Sequence, residues 1–303
     1  MIEKIPPAVT LVEVCPRDGF QNVRTFIDTE YKKRIIRGLA ASGITEIELT
    51  SFVSPKAIPQ MADSAEIAAV FVDELAANCR TIALVPNLKG AQTAWDSGIR
   101  TVSYVISVSA AHNMANVRRT SEESLADLRR IKCALPDLKL RADLATAFGC
   151  PFEGAVPPGA VLRLMEKVLN CGVSEIVLCD TIGIADPVQV QALSKQARKM
   201  CGELPMALHL HDTRGMGLVN ICAGIDGGIS RFETSAGGLG GCPFAPGAAG
   251  NTATEDAVNM LHAIGADTGI SLEALLKAVA LIKQYIKPDL TSRMGNIGAC
   301  EEA

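Results

Sequence analysis

The chain has 303 residues, 48% of them hydrophobic and 20% charged, so it can bury a large core and lacks the composition of a disordered chain. Its formal net charge of -4 at pH 7 offers no general attraction to nucleic acid or to an anionic membrane surface. No apolar run approaches the roughly 20 residues that cross a bilayer, and the opening MIEKIPPAVT lacks the apolar core of a signal peptide, so the expected location is cytoplasmic.

Short β-rich runs alternate with helical runs along the chain. VTLVEV reads as a strand followed by the helix EYKKRIIRGLAAS, EIELTS is followed by DSAEIAAVFVDELAANC, and TIALVP by GAQTAWDSG. TVSYVISVS then leads to SEESLADLRRIKCALP, KLRADLAT to PGAVLRLMEKVLNCG, EIVLCDT to DPVQVQALSKQARKMCG, MALHLHD to GLVNICAGIDGG, and RFETSA to TATEDAVNMLHAIG. About eight β-then-α units predict an α/β fold, a (β/α)8 TIM barrel over about residues 8–265, within one catalytic domain spanning 1–303. A doubly wound open sheet is the competing architecture, but no GxGxxG follows the first strand and no linker divides the chain.

The extension 266–303 contains one more amphipathic helix, SLEALLKAVALIKQYIK, whose apolar stripe suits either a subunit interface or a cover for the barrel. The tail after Pro288 is polar and expected to be loose. The ten cysteines are scattered without CxxC pairs and read as reduced thiols used as small hydrophobes.

Barrel chemistry sits at the carboxyl ends of the strands, and the unusual polar residues collect there. Arg17 and Asp18 follow the first strand, and Glu48, Thr50 and Ser51 end the second. Asp180 and Thr181 end the sixth, His209, His211 and Asp212 the seventh, and the eighth runs into GGLGGCPFAPGAAGN. Residues i and i+2 of a strand share a face, so His209 and His211, two of only four histidines, project together into the mouth. They suit a metal; the alternative is a hydrogen-bonded core histidine. With Asp18 they would form a mixed oxygen and nitrogen set with open positions, fitted to Mg²⁺ or Mn²⁺ and to a substrate that binds the ion.

Arg17 beside such an ion points to an anion or a developing oxyanion, against the alternative of an exposed arginine paired with Glu13 or Glu48. The glycine-rich loop fits a lid. On it, Cys242 reads either as a proton carrier or as an ordinary free thiol. Asn251 precedes TATE, which resembles a helix start with a capping box from Thr252 to Glu255.

CPRDGFQN, IELTSFVSPKAIPQMAD, VPNLKG, FGCPFEG, LCDTIG, HLHDTRG and GGLGGCPFAPGAAGNTATED, in that order, resemble the hydroxymethylglutaryl-CoA lyases, a family of metal-dependent barrels. The likeness runs from about residue 10 to 265. It implies that Asp18, His209, His211 and Asn251 hold a divalent cation, that Arg17 binds the thioester oxygen, and that Cys242 moves protons. His209 would take the hydroxyl proton, and Glu48 and Asp180 match acidic positions of the family's site. The implied reaction is retro-Claisen cleavage of 3-hydroxy-3-methylglutaryl-CoA to acetyl-CoA and acetoacetate by a homodimer, with Ser51 among the residues that meet the acyl-CoA.

One segment departs from the family pattern. After the fourth strand the family reads something like an ASE motif, whereas SVSAAHNMANVRRTSEES stands here, and Phe20 stands where leucine is expected. His112, Asn113, Arg118 and Arg119 are therefore placed where substrate or CoA would be contacted; the alternative is a loop with a solvated basic pair ahead of a helix cap at Thr120 or Ser121. The departure keeps a sister lyase in view, one acting on citramalyl-CoA to give acetyl-CoA and pyruvate. A condensing synthase is expected to carry a further carboxyl-terminal domain, and a catalytically silent barrel would not be expected to retain the full polar set.

Overall fold

The computed structural model describes residues 5–241 and 250–297. Eight parallel strands close in sequence order: β1 (Thr10–Glu13), β2 (Glu46–Ser51), β3 (Arg80–Leu84), β4 (Thr101–Ser107), β5 (Lys139–Ala145), β6 (Glu175–Asp180), β7 (Met206–Leu210) and β8 (Arg231–Thr234). Closure is direct, with Thr10 to Glu13 of β1 paired in register with Arg231 to Thr234 of β8. The sheet is therefore the expected barrel and not an open one. Its strands are rich in Val, Ile and Leu because helices cover their outer face while side chains fill the inside.

The helices are α1 (Thr29–Ala41), α2 (Ser64–Glu74), α3 (Leu88–Asp96), α4 (Ala110–Val117), α5 (Ser121–Ala134), α6 (Pro158–Leu169), α7 (Pro187–Cys201), α8 (Gly217–Asp226), α9 (Thr254–Ala263) and α10 (Leu272–Tyr285). None is long and apolar enough to cross a membrane. The eight cysteines among the described residues are free thiols.

Four features differ from, or decide between, the expectations. Part of the segment read as a loop after β4 forms α4, whose Ser109 cap accepts from His112 N and which ends at Arg118 in the left-handed region (φ 56°). The cap of α5 is Thr120, in a full capping box with Glu123. The box expected from Thr252 to Glu255 does not form. Thr252 Oγ1 instead donates to Leu210 O, and the Glu255 carboxylate accepts from Gly237 N. The segment after Pro288 is not loose through residue 297, because Asp256 on α9 accepts from Ser292 Oγ, Arg293 N and Met294 N.

The stripe of α10 (Leu275, Ala278, Val279, Ile282) is buried within the chain. Gly38 permits this approach, since a Cβ there would lie 3.0 Å from Ala278 Cβ. The covering reading of that helix therefore holds.

Beneath the mouth an ion network crosses the barrel. Arg141 on β5 is fully buried and pairs with Glu233 on β8 and with Glu175 on β6 at 3.3 Å. Glu175 also meets Arg80 and Arg231, which share Glu46. Removing one partner of a buried pair strands the other charge in a dry interior. Arg141→Ala is therefore expected to cost about 3–5 kcal/mol in urea unfolding at pH 7, and a loss below ~1 kcal/mol would show that solvent reaches the network.

Candidate active site

The site begins where β1 ends. The chain turns through a short π-type helix, Cys15–Gly19, in which Arg17 N, Asp18 N and Gly19 N all donate to Val14 O. This wide turn buries Arg17 and Asp18 together. Glu13 anchors it, accepting from Cys15 N (2.8 Å), Ala236 N (2.9 Å) and Thr254 Oγ1 (2.7 Å). Burial outweighs these hydrogen bonds and pushes the Glu13 pKa up to about 7.

Arg17 is buried and ion-paired, not exposed. Its Nε donates to Glu48 Oε2 at 2.5 Å and its Nη1 to Asp18 Oδ1 at 2.5 Å. Burial would raise the Asp18 pKa, but Arg17 and the two histidines reverse the sign and hold it below the ordinary carboxylate value. The Glu48 pKa stays raised, since its burial exceeds what Arg17 returns.

His209 on β7 and His211 just past its end, where it bridges to Asn251, face one cavity, their Nε2 atoms 3.0 Å apart. His209 Nδ1 lies 2.8 Å from Glu233 Oε2. With Nδ1–H donated to that carboxylate, a neutral His209 presents its Nε2 lone pair to the cavity. Burial would lower the His209 pKa, yet the Glu233 hydrogen bond and charge, with Asp18, raise it. His211, depressed by burial and then by His209, falls to about 3 and stays neutral.

Asn251 Nδ2 donates to Asp18 Oδ2 (2.7 Å) and Leu239 O (2.9 Å), while its buried Oδ1 has no partner among the described residues. Gly240 makes the fit possible: at φ 112°, a Cβ there would lie 2.4 Å from Asn251 Nδ2 and 3.1 Å from Asp18 Oδ2.

These residues fit a divalent cation. Donor atoms of Asp18, His209 and His211 lie within 4.8 Å of one another, and the unused Asn251 oxygen belongs to the neighbour that bonds Asp18. A mixed oxygen and nitrogen set of this kind is chemically compatible with a divalent metal ion.

A cavity of about 920 Å³ opens onto this group, walled by Arg17, Leu84, Val105, His112, Arg118, Asp143, Cys179 and Thr181 among others. His112 lines it with Nδ1 2.7 Å from Ser107 Oγ. Asn113 does not line it: fully buried, it spends its amide on Ser107 N, Arg119 O and Ser124 Oγ. Ser51 is likewise buried away from the cavity wall. Asp180 accepts from Ile184 N and Ala185 N, both at 3.0 Å, and so shapes the loop after β6; burial raises its pKa. Arg119 is no solvated charge, since it donates to Pro86 O and Tyr104 Oη and pairs with Asp127. Cys242 lies outside the described residues.

Sequence reading missed Glu233, Arg141 and Asp143. The available signal was a charged residue inside a short β-run, RFETSA or KLRADLAT, where burial on both faces leaves only the barrel interior for it.

Fold and site together define a (β/α)8 barrel whose mouth gathers buried acids and bases beside a group, Asp18, His209 and His211, that could hold a metal ion. Comparisons with known proteins agree. The HMGL-like family model matches residues 8–282. The chain is 42% identical over 290 residues to the hydroxymethylglutaryl-CoA lyase of Bacillus subtilis, covering 95% of this chain and 96% of that one. It is 38% identical over 301 residues to the (R)-citramalyl-CoA lyase of Chloroflexus aurantiacus, covering 96% and 95%. A solved HMG-CoA lyase from Acinetobacter baumannii, in complex with coenzyme A and 3-methylmalate, matches with a TM-score of 0.92 at 38% identity, covering 98% of this chain and 97% of that one. The chain belongs to the HMGL-like family and is a carbon–carbon lyase.

Groups that orient a ligating histidine change metal affinity by about 10–100-fold when removed. Glu233→Gln is therefore expected to weaken Mn²⁺ binding in titration calorimetry by about that factor, and unchanged affinity would remove Glu233 from the site's support.

Proposed function

We propose that the enzyme cleaves 3-hydroxy-3-methylglutaryl-CoA to acetyl-CoA and acetoacetate. The observation that carries this reading is the convergence of Asp18, His209, His211 and Asn251 beside the Arg17 guanidinium at the head of one large cavity. The relatives reported above, lyases of acyl-CoA substrates by name, support it. Asp18, His209, His211 and Asn251 would hold Mg²⁺ or Mn²⁺, which as a Lewis acid would make the substrate hydroxyl more acidic.

The protein's own groups account for the remaining chemistry. His209, backed by Glu233, takes the 3-hydroxyl proton. The oxygen electron pair forms the new ketone as the C2–C3 bond breaks, and that bond's electrons move onto the thioester as an enolate. Arg17, fixed by Glu48 and Asp18, stabilises the enolate oxygen. Cys242 delivers a proton to C2, releasing acetyl-CoA, and the glycine loop excludes water while it does so. A cytoplasmic homodimer is part of the same reading, supported by the family resemblance.

Cleavage of citramalyl-CoA is the second reading. It is favoured by the likeness to the Chloroflexus enzyme and by a cavity wall that carries His112 in the divergent segment. Side-by-side turnover with Mg²⁺ on the two thioesters, reading acetoacetate against pyruvate, separates the readings; silence on both would overturn them together.

His209 presents one nitrogen to the cavity, so its two proposed roles, holding the cation and taking the proton, must alternate. His209→Asn should lower kcat by about 10²–10⁴-fold. Retained metal would assign the loss to proton transfer and lost metal to ligation, while near-normal kcat would exclude His209 from both roles. Cys242→Ser should lower kcat with metal content intact.

A further inference from the structure

Asp143 belongs to the cavity wall, and the reaction above leaves it unused. It lies on β5 two residues beyond Arg141, hence on the same inward face. It is 5% exposed, and its Oδ1 is buried with no hydrogen-bond partner among the described residues. Three strands lie between β1 and β5 on either side of the closed barrel, so Asp143 on β5 stands across the mouth from the turn after β1 that carries Asp18.

The groups facing Asp143 are Arg141 on its own strand, Glu233 on β8, Glu48 on β2, Arg17 in the turn after β1, and the Cys179 thiol on β6. His209 lines the same cavity from β7, and β3 and β4 contribute the apolar Leu84 and Val105. Each deep guanidinium is already shared between two carboxylates, Arg17 with Asp18 and Glu48, Arg141 with Glu233 and Glu175, although Arg141 Nη1 is buried without a hydrogen-bond partner among the described residues. An ionised Asp143 would be a surplus buried anion. Burial, and then repulsion from Glu233, push its pKa up to about 8, so it holds its proton at pH 7.

Resting on the reading of the site given above, we propose that Asp143 touches the substrate as a neutral carboxylic acid and donates a hydrogen bond to the free carboxylate of the acyl group. An anionic acyl chain entering this cavity meets the carboxylates of Asp18, Glu48 and Glu233. A protonated Asp143 removes a fourth repulsion and supplies a charge-assisted donor in its place. Asp143 thus selects for acyl-CoA substrates that carry a second acid group.

The test compares Asp143→Leu and Asp143→Asn with wild type. A hydrogen bond to a charged group corresponds to about 10–100-fold, so Asp143→Leu should raise KM for 3-hydroxy-3-methylglutaryl-CoA by that factor, with kcat changed less. Asp143→Asn, whose amide still donates, should recover most of the loss. Binding of 3-hydroxy-3-methylbutyryl-CoA, which lacks the carboxylate, should hardly differ between wild type and Asp143→Leu. Wild-type kcat/KM should fall as pH rises through about 8, a limb that Asp143→Asn lacks.

Melting curves test the protonation without substrate. Between the ordinary value of 3.8 and about 8 the folded protein holds a proton that the unfolded chain has released. Wild type therefore loses stability as pH climbs through that window, and Asp143→Asn does not. The melting-temperature advantage of Asp143→Asn should widen from about pH 5 to 8. A constant difference, loss of activity in Asp143→Asn at every pH, or equal weakening of both thioesters in Asp143→Leu would each overturn the proposal. A wild type that does not cleave the thioester would sink the proposed reaction, while the melting curves still decide the state of Asp143.

Discussion

The Glu233 carboxylate lies between two groups that need it for different reasons. On one side is Arg141, a fully buried guanidinium that must have an anion; on the other is His209, whose ring must be held in one orientation and one tautomer. The Arg141 charge, with the His209 hydrogen bond, more than offsets burial and keeps the Glu233 pKa low. A permanently ionised Glu233 then fixes Nδ1–H of His209 and leaves Nε2 for the cavity. The stability of the barrel interior and the chemistry of the mouth thus share one carboxylate.

Around that carboxylate the charges divide into two clusters, and the division explains the separate behaviour of four acids in one small volume. Arg17 serves Asp18 and Glu48; Arg141 serves Glu233 and Glu175. Asp18 and Glu233 stay anionic, whereas Glu48 and Asp143 are pushed upward by burial. Acids driven apart in this way provide both a proton acceptor and a proton donor from the same residue types. The loops reinforce the arrangement. Thr146, just past β5, adopts a left-handed backbone (φ 58°), costing roughly 1–3 kcal/mol for a residue with a side chain. Its N–H donates to Thr181 Oγ1, and its own hydroxyl accepts from Ser109 N, so three loops are tied together at the rim.

The barrel was legible in the sequence because each strand is a compact β-branched run between helical runs, and all eight lie where those runs stand. His209 and His211 followed from strand alternation, and Asp18 from its position at the end of a strand. Asn251 needed the family resemblance, since its local context looked like a helix start. Glu233, Arg141 and Asp143 were missed, because a charge in a short strand points to the interior only once the barrel reading is applied to that strand and its outer face is taken as covered. The α4 segment is amphipathic but only eight residues long, too short for its spacing to stand out, and the order of 288–297 depends on Asp256, more than thirty positions away.

The central claim is that the strand ends bring Asp18, His209, His211 and Asn251 together as one divalent-cation site supported by Glu233. Anomalous X-ray diffraction from crystals soaked in Mn²⁺ tests it directly. The account predicts a single strong peak bonded to those four side chains, with the His209 ring still on Glu233. A peak elsewhere in the cavity, or no peak at saturating Mn²⁺, would contradict it.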